Sequence, residues 1–282
     1  MPLTSILPEL RKARDAGYAV ALFDVFDALA AEGVFAALEE KRSPGIAAIY
    51  SSAMDGPAAE AFSAFLIRMA ERASVPVSVM LDHGRDLEQC RKALNWGFTD
   101  VMFDGSALDF DRNVAVSRRV VKEARGFGAG VEVELGTIGS GRDYQDYGAR
   151  GRGFTDPDQA ELFLRRTGAD ILAVAVGTAH GAYRGKPRLD YARIEEIRRR
   201  VDAPLVLHGG SGLSASQFQA AIRRGIAKVN VATNLVKSAG EAMAAAARRD
   251  KASYFALTRT LRESYRTEGS RYLQIFGSAG RG

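Results

Sequence analysis

VPVSVMLDHGRDLEQCRKALNWGFTDVMFDGS, residues 75–106, carries the pattern that decides the fold. The apolar, β-branched run Val75–Leu81 reads as a buried strand and stops at the polar triplet Asp82-His83-Gly84. A helical pattern over 86–96 follows, then a second short run, Asp100–Phe103, which stops at Asp104-Gly105-Ser106. Strands that alternate with helices in this way pair in parallel. The same unit recurs on both sides. Upstream lie the runs Ala19–Phe23 and Gly45–Tyr50; downstream lie Gly130–Glu134, Asp170–Val176, Pro204–Leu207 and Ala227–Val231. Helix-like segments fill the gaps at 28–41, 57–73, 86–96, 111–127, 156–167, 190–201, 214–224 and 234–249. Thr155-Asp156-Pro157 marks one helix start, with cap candidates followed by proline at the first helical position. Eight strands alternating with eight helices predict an α/β protein whose parallel sheet closes into a (β/α)8 TIM barrel. An open doubly wound sheet is the alternative if one strand is miscounted.

The length of 282 residues fits this reading, since such barrels commonly fill about 250 residues as one unit. No composition shift or linker marks a second domain, so residues 1–282 read as a single domain. Residues 250–282 read as a helical extension, with a last helix over Tyr254 to Phe276 packing outside the barrel or against another subunit. A hydrophobic content of 46% and a charged content of 26% exclude global disorder. The net charge of +5 comes from scattered arginine pairs such as Arg118-Arg119 and Arg248-Arg249, which suit solvated helix faces better than a nucleic-acid surface. The triple Arg198-Arg199-Arg200 ends a helix, where cations favour the dipole. One cysteine, Cys90, excludes an intrachain disulfide and a cysteine-based zinc site. The longest apolar runs are too short to cross a membrane. The N-terminus places its charges after its apolar part, the wrong order for a secretory signal, and reads as a short capped helix. A cytoplasmic enzyme with no nucleic-acid or membrane partner is the expectation.

One stretch breaks the rhythm. Residues 136–154, GTIGSGRDYQDYGARGRGF, hold six glycines and no apolar period directly after the fifth strand. A loop of that length on the active-site face predicts a mobile lid.

The chemistry-bearing residues fall at strand ends, which converge on one mouth in a closed barrel. All three histidines of the chain sit there: His83, His180 and His208. A lone histidine is more often a packing residue, but three at one mouth suit Zn²⁺ with its fourth position open for substrate. Glu134 is an additional or alternate ligand. Glu132 shares its parity one layer deeper and reads equally well as a buried structural carboxylate. Gly181 follows His180, and His208-Gly209-Gly210-Ser211 follows strand seven, where barrels often hold a phosphate. Missing side chains there let backbone N–H groups approach an anion, and Ser211 adds a hydroxyl. Asn230, Val231, Ala232 and Thr233 close strand eight, where the N-terminal dipole of the last barrel helix could complete the cup. Tight turns that need glycine for positive φ are the alternative reading.

Six motifs in order, LDHG at 81–84, MFDGSAL at 102–108, VEVELGTIG at 131–139, GTAHGAY at 177–183, LHGGSGL at 207–213 and KVNVAT at 228–233, resemble the class II, zinc-dependent fructose-bisphosphate and tagatose-bisphosphate aldolases. The likeness runs from about residue 75 to 235 and is nearest to the tagatose-bisphosphate branch. It implies a TIM barrel that reversibly joins dihydroxyacetone phosphate (DHAP) to an aldehyde such as glyceraldehyde 3-phosphate, acting on a phosphorylated sugar as a homodimer or homotetramer. By position it implies His83, His180 and His208 as zinc ligands, Glu134 as a carboxylate associated with metal movement, and Asp82 as the catalytic acid/base. Gly181, Gly209, Gly210, Ser211 and Asn230 to Thr233 would hold DHAP, mostly by its phosphate. A Lewis-acid ion fits the chemistry, because removing a proton beside a ketone leaves negative charge to stabilise. The other solution is a lysine Schiff base, for which Lys228, inward by parity with Asn230, is the one candidate.

The sequence departs from the family pattern on the aldehyde side. An AFNVNN-like first strand becomes Leu22-Phe23-Asp24-Val25-Phe26-Asp27, and Tyr50 stands where a serine is usual. Gly141-Arg142-Asp143 replaces the lid group whose Glu takes the DHAP carbon proton, leaving Asp143 or Asp146 as substitutes and Arg142 as a binder for an anionic aldehyde. Asn234 replaces a common acidic residue. The expectation is a zinc-dependent, DHAP-utilising aldolase acting on fructose or tagatose 1,6-bisphosphate, or the same enzyme with another aldehyde partner. A different metal-assisted barrel reaction, such as hydrolysis or epimerisation, and a non-catalytic or regulatory aldolase-like subunit are the remaining alternatives.

Overall fold

The architecture is that of a computed structural model, which describes residues 2–139, 153–181, 183, 187–249 and 253–282. Eight parallel strands close into one barrel in sequence order. They are β1 (Val20–Asp24), β2 (Gly45–Tyr50), β3 (Val77–Gly84), β4 (Asp100–Phe103), β5 (Gly130–Leu135), β6 (Ile171–Val174), β7 (Leu205–Leu207) and β8 (Ile226–Val231). Helix α1 (Leu7–Ala16) precedes them. The barrel helices are α2 (Ala28–Lys41), α3 (Ala59–Arg72), α4 (Leu87–Asn95), α5 (Phe110–Arg125), α6 (Pro157–Thr167), α7 (Tyr191–Arg200), α8 (Ala215–Ile222) and α9 (Thr233–Arg249), with α10 (Tyr254–Phe276) at the end. This is the (β/α)8 TIM barrel expected from the alternation, with the additional C-terminal helix.

The helices start where they do because polar side chains satisfy their first N–H groups. Asp27, Asp86, Asp109, Asp156 and Asp190 each accept from the N–H three residues on, and Ser214 forms a capping box with Gln217. Of the cap candidates before α6, Asp156 takes the role; Thr155 turns inward and bonds the Leu135 carbonyl and the Ala175 N–H. The expected local cap on α1 is absent. Ile6 contributes no side-chain bond, and its own N–H goes instead to Asp100 Oδ2 at 2.9 Å. Asp100 also accepts from Ser5 Oγ at 2.7 Å, Ser78 Oγ at 2.6 Å and the Gly130 N–H at 3.2 Å. A carboxylate at the start of α1 complements its dipole and fastens the helix across the barrel bottom.

Two apolar layers follow from strand parity. Inward residues such as Leu22, Ile46, Met80, Met102, Ile171 and Val206 pack with Ile6, Leu10 and Ala13 of α1, plugging the lower barrel. Burying Ile6 and Leu10 stabilises the fold by about 1.5–3 kcal/mol each. Outward residues pack against the helical ring in a separate cluster. With its lower half filled, the barrel leaves its polar inward residues at the C-terminal mouth. Helix α10 lies against α2, α8 and α9, and its Tyr272 hydroxyl accepts from Asn234 Nδ2 at 2.5 Å, so the extension reaches the rim of the mouth. Among the described residues no helix is long and apolar enough to cross a membrane.

Candidate active site

Strand β3 delivers two consecutive polar side chains to the mouth, which regular alternation forbids. Its pairing with β4 shifts register between Leu81 and Gly84, and His83 adopts φ +52°, one of two non-glycine residues with positive φ among those described. This bulge turns His83 toward the mouth beside Asp82. Gly84 makes the bulge possible: a Cβ there would stand 2.5 Å from the Met102 carbonyl oxygen.

The three histidine rings lie against each other, with centroids 4.7 to 5.9 Å apart. On each, one nitrogen is held from outside. His83 Nδ1 bonds Asp104 Oδ2 at 2.7 Å, His208 Nε2 bonds Glu132 Oε1 at 2.9 Å, and His180 Nδ1 reaches the Ile138 carbonyl at 3.2 Å. The remaining nitrogens face inward. His83 Nε2 and His208 Nδ1 are 2.9 Å apart, and His180 Nε2 is buried with no partner. Ligand atoms from the three residues lie within 4.8 Å of one another. Carboxylate or carbonyl on one nitrogen and a shared focus for the other is how metal-ligating imidazoles are oriented. The orphaned Nε2 of His180 is what a divalent cation would satisfy, so the donor set fits zinc or a similar ion.

Electrostatics sharpen the picture. Burial works against charge on His83, but Asp82, Asp104 and Glu134 surround it and raise its pKa to about 10. His180 is pushed down to about 4 by burial and by the two neighbouring histidines, and burial lowers His208. Burial would also neutralise Glu132, but Lys228 and His208 outweigh it and hold the carboxyl at about 2. Lys228 Nζ sits 2.7 Å from Glu132 Oε2 and donates to Asn230 Oδ1 at 2.8 Å; Asn230 Nδ2 donates to Asp82 Oδ1 at 2.8 Å. A buried chain thus runs from His208 through Glu132, Lys228 and Asn230 to Asp82. It removes Lys228 as a Schiff-base candidate, because imine formation needs an accessible free amine and this one is fully buried and committed. The structural reading of Glu132 is correct.

Glu134 takes a place of its own. It is buried, with Oε2 unpartnered, and burial followed by the charge of Asp104 pushes its carboxyl well above the usual carboxylate range. It groups with Asp104 and His83 within 4.8 Å, not with the three histidines together. That grouping puts it beside His83 as a candidate ligand.

Asp82, His83, His180 and His208 line one cavity of about 260 Å³ with Gly181, Gly209 to Ser211 and Asn230 to Thr233, so the expected metal and phosphate residues meet. Gly209 has φ +68°, and a Cβ on it would stand 2.4 Å from the Ala179 oxygen, so the turn needs glycine. Tyr183 donates to the Gly209 carbonyl at 2.6 Å, tying the loop after β6 to that after β7. The Ser211 hydroxyl donates to the Gly181 carbonyl at 2.7 Å, so as it stands that O–H closes the turn and leaves the backbone N–H groups to face an anion. The expected lid lies mostly outside the described residues, as do Arg142, Asp143 and Asp146; at its base Thr137 N–H bonds the Gly153 oxygen at 2.7 Å.

Three residues were not assigned from sequence. Asp104 stands at the end of β4 within MFDGSAL, a position that signalled the mouth but not its bond to His83. Lys228 was weighed only as a nucleophile. Asp24 was noted as a departure; it is buried at the end of β1, lines the cavity and leaves Oδ1 without a partner. Burial, then the charge of Asp82, pushes its carboxyl well above the usual range.

Over residues 4–281 the chain matches the family described as fructose-bisphosphate aldolase class-II. It is 38% identical over 264 residues to the protein YdjI of Escherichia coli (strain K12), covering 94% of each chain. It is 39% identical over 256 residues to the fructose-bisphosphate aldolase of Thermus caldophilus, covering 83% of this chain and 84% of that one. The crystal structure of the YdjI aldolase from Escherichia coli K12 superposes with a TM-score of 0.88 at 34% identity over 99% of both chains. The chain therefore belongs to the class II fructose-bisphosphate aldolase family, whose members are lyases.

Proposed function

We propose that this aldolase is zinc-dependent and reversibly cleaves a ketose phosphate into DHAP and an aldehyde: fructose or tagatose 1,6-bisphosphate with an aldehyde such as glyceraldehyde 3-phosphate, or a ketose phosphate built on another aldehyde partner. The observation that carries the reading is the convergence of three outward-braced histidines on one unpartnered focus, His180 Nε2 included, beside a glycine-built cup. His83 Nε2, His180 Nε2 and His208 Nδ1 would hold the ion. Bound there, it supplies Lewis-acid stabilisation of the negative charge that develops on the DHAP half.

The chain's own residues do the rest. Backbone N–H groups of Gly209 to Ser211 and the start of α9 hold the phosphate through the helix dipole and close approach. Asp82, its carboxylate fixed by Asn230, takes the proton from the hydroxyl that becomes the aldehyde oxygen. The carbon–carbon bond beside that hydroxyl breaks, its electron pair passing to the DHAP half, and a proton then returns to the DHAP carbon. Asp143 or Asp146 is the proposed source of that last proton. The proposal also carries a homodimer or homotetramer and a cytoplasmic setting without nucleic-acid or membrane partners. Arginines paired on the surface, such as Arg166 with Asp111 and Arg266 with Glu40, support the last part.

The test is cleavage of fructose 1,6-bisphosphate and tagatose 1,6-bisphosphate, coupled to DHAP detection, before and after EDTA and with zinc added back. Activity lost with EDTA, restored by zinc and absent in His208→Ala is expected. Cleavage indifferent to EDTA and to His208→Ala would overturn the metal mechanism.

A further inference from the structure

The two ends of the cavity differ in chemistry. One end is backbone: Gly209 to Ser211 and the N-terminus of α9, which suit a phosphate. The other is built by the ends of β1 and β2 and the residues after them, beside Asp82 of β3. There Asp24 supplies a second carboxyl, and Tyr50 and Phe26 stand 40% and 48% exposed against the cavity. Among the described residues no lysine or arginine lines the cavity.

Each of these features is costly without a ligand. A buried carboxyl oxygen with no hydrogen-bond partner, as at Asp24 Oδ1, forgoes a bond that water would have supplied. Two large aromatic faces held open to solvent forgo burial, and Tyr50 is kept in place only 5.6 Å from the His83 ring. A short polyhydroxylated chain answers both needs at once. Its hydroxyl bonds the carboxyl and its C–H faces lie on the rings. A phosphate dianion has no C–H face for the rings and would find no cationic side chain among the described residues of the cavity.

Resting on the aldol reading above, we propose that Asp24, with Tyr50 and Phe26, makes the part of the cavity at the ends of β1 and β2 a subsite for an unphosphorylated hydroxyaldehyde, Asp24 holding the hydroxyl next to the reacting carbonyl. The sugar phosphate cleaved is then a monophosphate, phosphorylated on its DHAP half. Asp24 fixes the aldehyde's orientation while Asp82 handles its oxygen.

The test uses the zinc-loaded enzyme in the condensation direction, following DHAP consumption. Glycolaldehyde and acetaldehyde differ by the hydroxyl in question. Their kcat/KM ratio is compared between the wild type and Asp24→Ala, so that intrinsic aldehyde reactivity cancels. The ratio is expected to fall about tenfold or more in the variant, since a site built to bond a hydroxyl discriminates strongly against its absence. The wild type is also expected to prefer glyceraldehyde over glyceraldehyde 3-phosphate, and Tyr50→Ala, a rim change that spares the barrel interior, to erode that preference about threefold or more. An unchanged glycolaldehyde ratio, or a wild-type preference for the phosphorylated aldehyde, would overturn the subsite while leaving the aldolase standing. No DHAP consumption by the wild type with any of the four aldehydes would overturn the aldol reading itself, and the subsite with it. Should Asp24→Ala fail to fold, the two glyceraldehyde comparisons decide the proposal alone.

Discussion

Lys228→Met is expected to destabilise the protein by about 3–5 kcal/mol, and Glu132→Gln placed beside it to recover most of that loss. Both side chains are fully buried, with Lys228 Nζ 2.7 Å from Glu132 Oε2. Removing the ammonium leaves a buried carboxylate facing only His208 Nε2. The size of the effect follows from linkage as well. Glu132 is held at about 2 against an ordinary value of 4.5, so its charge contributes stability above pH 4.5 that is lost as the pH falls toward 2. That difference amounts to about 3 kcal/mol, at the low end of the range for breaking a buried pair. In the double variant neither charge is present, and an amide beside a thioether of similar volume costs little. The assay is guanidinium unfolding at pH 7 in EDTA, followed by far-UV circular dichroism and by the fluorescence of the single tryptophan, Trp96. A Lys228→Met variant within about 1 kcal/mol of the wild type, or a double variant less stable than either single one, would refute the reasoning.

Three further outcomes can be checked. Asp82→Asn should lower kcat by about 10²–10⁴-fold while zinc content, measured by atomic emission, stays at one ion per chain, separating proton transfer from metal binding. Asp100, raised to about 6 by burial despite its hydrogen bonds, binds its proton more tightly folded than unfolded. Stability should therefore fall by up to about 3 kcal/mol as pH rises from about 4 to about 6, and urea titrations of Asp100→Asn should lack that decline. Gly209→Ala, forced to φ +68° and to a contact with the Ala179 oxygen, should lose at least about 1 kcal/mol of stability and raise KM for the sugar phosphate in the cleavage assay.

The barrel was legible because each strand–helix unit carries its own punctuation. The segment predicted over 28–41 matches α2, and the runs Gly45–Tyr50 and Asp100–Phe103 match β2 and β4. The lower interior could be anticipated from parity alone, since Leu22, Ile46, Met80 and Met102 alternate as inward residues must. The capping of α1 was not legible, because its carboxylate comes from Asp100, 94 residues away from Ile6. Alternation also could not foresee the β3 bulge. Parity assigns Asp82 and His83 to opposite faces, and only the local left-handed turn at His83 brings both to the mouth. The motif LDHG announced the outcome; the backbone conformation is its cause.

What sequence reading separated, the structure joins. The acid/base and one proposed metal ligand arrived on β3, the other two after β6 and β7, and Asn230 on β8, while the inward carboxylate on β5 had no assigned partner. The chain from His208 through Glu132, Lys228 and Asn230 to Asp82 links them by direct contacts of 2.7 to 2.9 Å. Each member has its geometry set by the next, so the orientation of the acid/base is fixed from the same buried pair that orients a metal ligand. On the proposed function, Lys228 is then a positioning residue for both halves. A change there should move zinc affinity and the activity of Asp82 together, whereas Asp24, which makes none of these contacts, should alter aldehyde choice and leave zinc affinity where it was. Those two patterns of response distinguish a shared internal support from a substrate-facing subsite, and titrating zinc into Lys228→Met and Asp24→Ala with a competing chelator separates them without any turnover. Equal loss of zinc affinity in both variants would mean that Asp24 belongs to the same internal support.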